Sequence, residues 1–508
     1  MARYLYWLII LAVSTAMGIV TLSPGLALAA PGRQPAVAKA TLAGLGHPKT
    51  VVTFAWGGSL ASQMPAVPIL REYGMHGTFF AASGLLCQLS QAECATSSPY
   101  LSVRDLHEIA AAGDEIGGLS VFHEQLTGMP VAEAKREICD DRSNLIRLGF
   151  RVTDFAYPFA IVNPTLEALV RGCGYNAGLG TGTLRGAGLC DTCGWAENIP
   201  PLDPMDVRTP IEVNSVNTTW TARTYESIVT AAQRHGGGWI VFTIHDICPV
   251  NCALGTTPAI LRSLLGWLKG QARHDVRVET MRQVIGGPMR SLVTSPAPRA
   301  LPSPGVANAS LAKAAGRQPV CFQEASYGGT DASFTYSPTG GLHGSAAETV
   351  RITHAGSDPA KLLQQMDLGL CAPSVSSGHA YTAGVWYKAS GQTQIEIYRR
   401  GPLDNWAYWA TSPAFPASAS WRQAAWKTPL VPPGTTALSF GLTTTSVGTI
   451  TTTDYSLMPA KSERGRILLL GLVAVLIAAA LIARGHYRYL KFTKVAEAAH
   501  GDSVAARS

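Results

Sequence analysis

Two histidines in the first half of the chain, His123 and His245, carry side chains suited to catalysis or metal binding. His245 follows the apolar run Trp239–Ile244, which is typical of a buried strand, and it precedes Asp246. His123 closes the stretch Gly117–His123. An imidazole ring can bind a divalent ion or transfer a proton near neutral pH. The two residues therefore indicate a metal site or a proton-transfer site, provided that further ligands accompany them.

A hydrolytic metal site needs a few oxygen or imidazole ligands and an open position for water. It also needs a carboxylate base and an acid for the leaving group. Four carboxylates in this half of the chain could rebuild such a site: Asp114, Glu115, Asp154 and Asp246. Each is also explained as a turn, helix-cap or supporting residue, so both interpretations stay open.

Four stretches in the first half of the chain occur in an order that resembles a known family. They are Thr53–Gly57, Gly117–His123, Phe155–Phe159 and Phe242–Asp246. Together they resemble the polysaccharide deacetylases, carbohydrate esterases that share the NodB homology domain. The resemblance covers about residues 48–288. It implies an α/β fold, a distorted (β/α) deacetylase-type barrel with its site at the C-terminal ends of the strands.

The chain departs from the family pattern at the positions that matter most for catalysis. In the family, the first motif supplies the general base and a metal ligand, and the second motif supplies two histidine ligands. Here Ala55 replaces the base, Trp56 replaces the ligand aspartate and Leu119 replaces the first histidine. The resemblance leaves His123 as the remnant ligand and places His245 at the general-acid position. We therefore expect no metal cofactor, or zinc if other residues rebuild the site.

The aromatic residues supply the candidates for glycan contact, because their rings stack well on sugar faces. In the deacetylase-like region we expect Trp56, Tyr157 and Pro158 to line the substrate cleft. In the second half of the chain, Trp406 and Trp409 are the better candidates for stacking on sugars. Core packing remains the commoner fate of a tryptophan in a β-sandwich.

Beyond the barrel the sequence pattern changes twice. A segment rich in Pro, Ala and Ser, 289–318, is typical of a linker. From 319 to 459, short alternating strands such as Gln394–Tyr398 and Ala437–Leu442 predict an antiparallel β-sandwich. Its order of features resembles a galactose-binding-like or carbohydrate-binding jelly roll. The deacetylase-like domain is assigned to 47–288.

The two ends of the chain predict export and a membrane anchor. Residues 1–29 resemble a secretory signal ending in an A-x-A cleavage site, although an uncleaved N-terminal anchor is also compatible with the length of the apolar run. The uncharged run 467–483 predicts a transmembrane helix, and the basic, aromatic-rich residues that follow predict a cytoplasmic tail at 484–508. We expect a single-pass protein of the cell membrane with an extracellular ectodomain.

The ten cysteines all lie between these two apolar segments, as in a disulfide-bonded exported protein. The spacing makes the local pairs 87–94, 190–193 and 248–252 plausible, which leaves 139–173 and 321–371. Zinc binding by Cys190 and Cys193 is the alternative, but no second ligand pair at a suitable spacing supports it. Spacing alone does not fix the connectivity.

Three functions are compatible with these observations. The first is a catalytically impaired protein that binds cell-wall or extracellular polysaccharide in the old substrate cleft. The second is an active hydrolase that cleaves the carbon–nitrogen bond of N-acetyl groups through an atypical site around His123 and His245. The third is a purely structural or partner-binding role. A net charge of +7, with Lys and Arg scattered along the chain, argues against a nucleic-acid partner.

Overall fold

The structure is a computed structural model that describes residues 49–88, 94, 98–186, 190–212, 220–250, 252–303, 305–444, 446–460 and 476–488. The described residues from 49 onwards belong to one compact unit. The signal segment at 1–29 and most of the tail at 484–508 lie outside the described residues.

A parallel half-barrel sheet organises the first half of the chain, consistent with a deacetylase-type barrel. Its strands run in the spatial order β10-β1-β2-β3-β4-β5-β6, and β7 pairs with β1 along the whole length of β1. A small parallel pair, β8 and β9, lies beyond β7. The strands are β1 (Thr50–Trp56), β2 (Thr78–Ala81), β3 (Glu115–Gly118), β4 (Asp154–Ala156), β5 (Ala177–Thr183), β6 (Val207–Thr209), β7 (Gly238–Ile244), β8 (Asp246–Ile247), β9 (Gly255–Thr256) and β10 (Val276–Val278).

Helices alternate with these strands, and local capping explains where several of them begin. Ser102 and Asp105 form a capping box at the start of α2, and Gly113 follows the end of this helix with a φ of 95°. The helices are α1 (Ala66–Glu72), α2 (Val103–Ala111), α3 (Val131–Arg147), α4 (Pro164–Gly172), α5 (Ala222–Arg234), α6 (Pro258–Gln271) and α7 (Met281–Ile285).

The sheet has two apolar faces, and β1 contributes to both. Val52, Phe54 and Trp56 belong to the outer core between the sheet and the helices. Val51 and Ala55 belong to the inner core, which also contains residues of β5, β6 and β7. Alternate residues of a strand point to opposite faces, which explains this division. Adjacent positions on β1 therefore have different surroundings.

The second half of the described chain forms two five-stranded antiparallel sheets, as the alternating pattern predicts. One has the order β13-β16-β21-β18-β19, and the other has the order β14-β15-β22-β17-β20. Apolar residues of both sheets, such as Phe440 and Val385, share one core, so the sheets pack as a sandwich. The strands are β11 (Ala314–Ala315), β12 (Gln318–Pro319), β13 (Phe322–Tyr327), β14 (Asp331–Ser337), β15 (Ala347–His354), β16 (Asp358–Gln364), β17 (Tyr381–Ala389), β18 (Gln394–Arg400), β19 (Trp406–Thr411), β20 (Ser418–Lys427), β21 (Ala437–Thr443) and β22 (Gly448–Pro459).

The connecting segment between the two halves is held against α3, which the sequence pattern of a linker does not predict. Arg142 donates hydrogen bonds to the carbonyl oxygens of Arg290 and Ser291 at 2.8 and 3.3 Å. Arg136 donates to the carbonyl oxygens of residues 296 and 297, both at 3.3 Å. The first part of the segment is therefore a strap bound to the barrel rather than a free spacer.

The five disulfides join Cys87 to Cys94, Cys139 to Cys173, Cys190 to Cys193, Cys248 to Cys252 and Cys321 to Cys371. The three local pairs that the spacing made plausible are confirmed, and so are the two remaining pairs, 139–173 and 321–371. Because Cys190 and Cys193 are joined to each other, the alternative of a zinc site there is wrong.

The predicted transmembrane helix at 467–483 receives no support from the part of the chain that the structure describes. A helix covers the described residues 476–488, while 467–475 lie outside the described residues. Among the described residues, no helix is both long enough and apolar enough to cross a membrane.

Candidate functional site

A cleft of about 330 Å³ lies where four strands of the parallel sheet end. Gly57 and Gly58 follow β1, and the stretch 119–123 follows β3. Tyr157 follows β4, and His245 follows β7. The four stretches of the sequence therefore meet at the C-terminal ends of the strands, which is where a barrel enzyme carries its site.

The replaced positions around this cleft are apolar. Ala55, Leu119 and Ala156 belong to the same inner core, and Leu119 and Ala156 also line the cleft. Trp56 is fully buried on the other face of the sheet, where its ring stacks on Phe79 with 5.6 Å between the centroids. The prediction that Trp56 contacts substrate is not supported by this placement, because strand alternation turns the side chain away from the cleft.

His245 lies at the floor of the cleft, close to backbone that only glycine allows. A Cβ atom at Gly57 would lie 3.0 Å from His245 Nε2, and Gly58 has a φ of 84°. The same imidazole nitrogen lies 3.9 Å from Glu212 Oε1, while Nδ1 is buried without a hydrogen-bond partner among the described residues. Burial, followed by the nearby His123, lowers the pKa of His245, although Asp246 acts in the opposite direction. The neutral imidazole is therefore favoured.

His123 lies at the mouth of the cleft in a left-handed backbone conformation, with a φ of 54°. The backbone N–H of His123 donates to Ser120 Oγ at 3.0 Å, and Ser120 also has a positive φ of 69°. Its ring centroid lies 4.9 Å from that of Phe159. Burial lowers the pKa of His123 as well, so this ring also favours the neutral form.

The Tyr157-Pro158-Phe159 stretch gives the cleft one wall and its rim. Tyr157 lines the cleft, and its hydroxyl donates to the carbonyl oxygen of Met205 at 2.8 Å. Pro158 is buried but does not line the cleft, unlike the prediction for this residue. Phe159 projects at the rim with 61% of its surface exposed, and both Phe159 and Ala160 have positive φ values, 56° and 57°. Such strained backbone at an exposed ring indicates a functional position.

Trp406 and Trp409, the predicted sugar-stacking residues of the sandwich, lie on the edge strand β19 and not in the cleft. Trp409 packs against the sandwich core. Trp406 is half-buried, and its Nε1 has no partner among the described residues. Tyr408, between them, is 57% exposed. The structure therefore presents a tyrosine at this edge where the sequence favoured the tryptophans.

None of the four carboxylates considered as replacement metal ligands lines the cleft. Asp114, Glu115 and Asp154 are at the N-terminal ends of β3 and β4, the opposite end of the sheet. Asp246 follows His245 but accepts a hydrogen bond from the Ser62 hydroxyl. Residues at the start of a parallel strand and residues after its end lie at opposite ends of the barrel. This explains why Asp114, Glu115 and Asp154 are far from the cleft.

The side chains around the cleft do not fit a divalent ion. Within the described ranges, no three His, Cys, Asp or Glu side chains come together in a way that could hold a metal. A catalytic zinc site usually has three protein ligands. The two imidazoles and Glu212 line the same cleft without forming such a set, and the positions between them are apolar.

Sequence reasoning missed Glu212 and Thr243, which also line the cleft. Thr243 is the residue of β7 that pairs with Ala55 on β1, and its buried Oγ1 has no hydrogen-bond partner among the described residues. Burial raises the pKa of Glu212. The only sequence signal for Glu212 is its position shortly after β6, because loops that follow barrel strands carry the site.

Comparison with known proteins places the family resemblance in the same region. Residues 46–178 match the family model for polysaccharide deacetylase. A search of curated proteins finds no match. Three solved structures illustrate the similarity at the level of coordinates, all with low TM-scores.

A family 4 carbohydrate esterase from Streptomyces lividans is 16% identical, with 45% of this chain and 90% of that chain covered and a TM-score of 0.29. The xylan-binding domain CBM22-1 of Paenibacillus barcinonensis Xyn10C is 11% identical, with 30% and 92% covered and a TM-score of 0.23. The tailspike protein 4 of bacteriophage CBA120 is 16% identical, with 31% and 22% covered and a TM-score of 0.24. The chain thus spans about a fifth of the tailspike domain. The similarity to the polysaccharide deacetylase family model is thus limited to residues 46–178.

Proposed function

We propose that this chain is a glycan-binding protein of the polysaccharide deacetylase family that does not catalyse metal-dependent deacetylation. The observation that carries the proposal is the composition of the cleft. Its position, imidazoles and aromatic rim suit a sugar, whereas Ala55 and Leu119 lie in the inner core and Trp56 lies behind the sheet. Without an ion, no Lewis acid polarises the carbonyl group of an acetamide in the part of the cleft that the structure describes.

Sugar binding in this cleft would combine one aromatic face with several hydrogen-bonding groups. The exposed ring of Phe159 is suited to stack on a pyranose face. Below it, His245 Nδ1 and Thr243 Oγ1 are buried polar atoms that sugar hydroxyls can satisfy, and Glu212 also lines the cleft. An unpartnered buried polar atom is costly in the free protein, so a ligand that supplies the missing hydrogen bond gains affinity from it.

The β-sandwich is proposed as a second glycan-binding unit of the jelly-roll, galactose-binding-like type. Its edge strand β19 carries the exposed Tyr408, whose ring packs edge-on against Tyr398 at 6.1 Å between centroids. An exposed aromatic ring on a sheet edge is suited to sugar stacking. This unit would hold a polymer while the cleft binds one of its sugar units.

The location proposed for the protein is the cell surface, with 467–483 as the membrane anchor. The support is the uncharged apolar run and the basic residues after it. A chain truncated after Ala460 should leave the membrane fraction. If it sediments with membranes as fully as the intact chain, the N-terminal segment is the anchor.

Three measurements on the purified full-length chain distinguish binding from hydrolysis. Calorimetry with oligomers of N-acetylglucosamine should show binding. Incubation with the same oligomers and added zinc should release no acetate, and elemental analysis should find no stoichiometric metal. Acetate release that a chelator abolishes would instead establish the hydrolase, whereas absence of binding to any neutral glycan would favour the structural role.

A further inference from the structure

We propose that a glycan chain held in the cleft continues into a second binding site, a groove between the barrel and the sandwich. This junction groove is lined by 122–137 on the barrel side, and by 315–323 and 365–370 on the sandwich side. Its volume is about 1030 Å³. The inference rests on the proposed function, since it concerns the sugar units next to the one in the cleft.

The cleft and the junction groove share a wall. His123 and Phe159 line both spaces, and their rings lie 4.9 Å apart. A ligand that passes over Phe159 therefore moves from one space into the other. The cleft is near the lower end of the roughly 300–1,000 Å³ range for small-molecule sites, and the groove is near the upper end. One sugar unit in the cleft and several in the groove fit these sizes.

The groove offers the mixture of groups that binds sugars. Val320, on the sandwich side, is 41% exposed, and Met129 faces the same space from the barrel. Side-chain amides of Gln125, Gln323 and Gln365 also line it. Apolar patches suit the carbon faces of sugars, and amides can donate to and accept from hydroxyl or acetamido groups.

The charge of the groove limits what it can bind. Four carboxyl groups line it, whereas none of its described lining residues is a lysine or arginine. Three of the four already have partners. Glu133 pairs with Arg136 at 2.5 Å, Glu137 accepts from the backbone N–H of Phe122 at 3.0 Å, and Asp367 accepts from three backbone N–H groups at 2.7–3.0 Å. A negative potential here disfavours polyanionic glycans. Among glycans without negative charge, the apolar patches and amides of the groove favour a neutral linear one, such as an N-acetylated one.

The two sides of the groove are fixed to each other, so the site exists before the ligand arrives. The backbone N–H of Leu368 donates to Glu133 Oε1 across the junction at 2.6 Å. On the sandwich side, the disulfide between Cys321 and Cys371 joins the two segments that line the groove. Preorganised walls reduce the entropy lost on binding.

The test compares short and long oligomers of N-acetylglucosamine by calorimetry on the full chain. The wild type should bind the hexasaccharide about 10-fold more tightly than the disaccharide, because only the longer oligomer reaches the groove. The variant Val320→Arg, whose longer side chain fills the groove, should lose most of that gain and bind the disaccharide normally. Val447→Arg is the matched control, since Val447 is 64% exposed and lies outside the groove.

The outcomes separate this inference from the proposed function. If neither oligomer binds the wild type, the proposed function fails and the groove fails with it. If both bind equally, or if Val320→Arg keeps the full gain for the hexasaccharide, the cleft stands and the groove is wrong. Should Val320→Arg not fold by circular dichroism, Val320→Ala combined with Gln125→Ala makes the same test, with an expected loss of about 3-fold for the hexasaccharide alone.

Discussion

The two ends of the parallel sheet differ in where they carry charge. At the N-terminal ends of the strands, Glu115 and Asp154 are buried, and each is engaged by a neighbouring hydroxyl: Thr78 Oγ1 donates to Glu115 at 3.0 Å and Thr153 Oγ1 to Asp154 at 2.7 Å. At the C-terminal ends, the positions for base and ligands are apolar, while two imidazoles and Glu212 remain around the cleft. Buried carboxylates thus support the fold at one end, whereas the cleft at the other end combines two imidazoles and Glu212 with apolar residues.

The largest effect is expected from restoring a carboxylate where the family pattern has one. Trp56→Asp should lower the free energy of unfolding by more than about 4 kcal/mol, because it removes a buried tryptophan and leaves an unpaired carboxyl group in the outer core. Urea denaturation followed by circular dichroism measures this. Ala55→Asp, on the cleft side of the same strand, should cost clearly less. A stable Trp56→Asp variant that binds zinc would show that Trp56 faces the cleft.

The second effect concerns the carboxylate end. Glu115→Ala should cost about 2–4 kcal/mol, since it leaves the Thr78 hydroxyl and the backbone N–H of Arg282 without their acceptor. Glycan affinity should not change, because Glu115 lies at the far end of the strands. Denaturation and calorimetry give the two values. Glu108→Ala, in an exposed ion pair with Arg104, is the control and should cost less than about 0.5 kcal/mol. Weaker glycan binding by a folded Glu115→Ala variant would contradict the separation of the two ends.

The third effect tests the rim of the cleft. Phe159→Ala should weaken oligosaccharide binding about 10-fold, equivalent to about 1.4 kcal/mol, because the sugar loses its stacking surface. Stability should change little, since the ring is exposed. Tyr408→Ala removes an exposed aromatic ring from the sandwich edge and should leave disaccharide binding unchanged. Equal losses in the two variants would mean that the cleft is not the primary site.

The smallest effect is the pH dependence that His245 contributes. Its pKa is lowered in the folded chain, so the unfolded chain takes up the proton first as the pH falls below the ordinary value of about 6.5. The folded state therefore keeps this contribution above that value and loses it on acidification. The wild type should lose more stability than His245→Gln between pH 7 and pH 5, measured by denaturation. An opposite difference would indicate that the folded ring is protonated.

The sequence order of the four motifs was enough to predict their convergence, because strands of a parallel sheet place their following loops at one end. The spacing of the three closest cysteine pairs was equally informative, since short-range pairing depends on local geometry. The direction of Trp56 was not predictable. Every residue of β1 is buried, so the apolar pattern does not tell the inner face from the outer one.

Phe159 and Glu212 were missed for a different reason. Phe159 has a positive φ, and a phenylalanine at this position does not predict that conformation or the exposure of its ring. Glu212 reaches the cleft only because of the path of the chain after β6. Tertiary position decides both, and local sequence does not encode it.

The strap that binds the connecting segment to α3 has a consequence for avidity. Two binding units on a flexible tether explore many separations, and their effective concentration falls as the tether lengthens. Here hydrogen bonds from Arg136 and Arg142 remove that freedom, and Asn144 on the same helix donates to the carbonyl oxygen of Leu403 in the sandwich at 3.0 Å. The distance between the two proposed binding units is therefore fixed. We expect gains in avidity on glycan strands whose repeat matches it, and none on strands that do not.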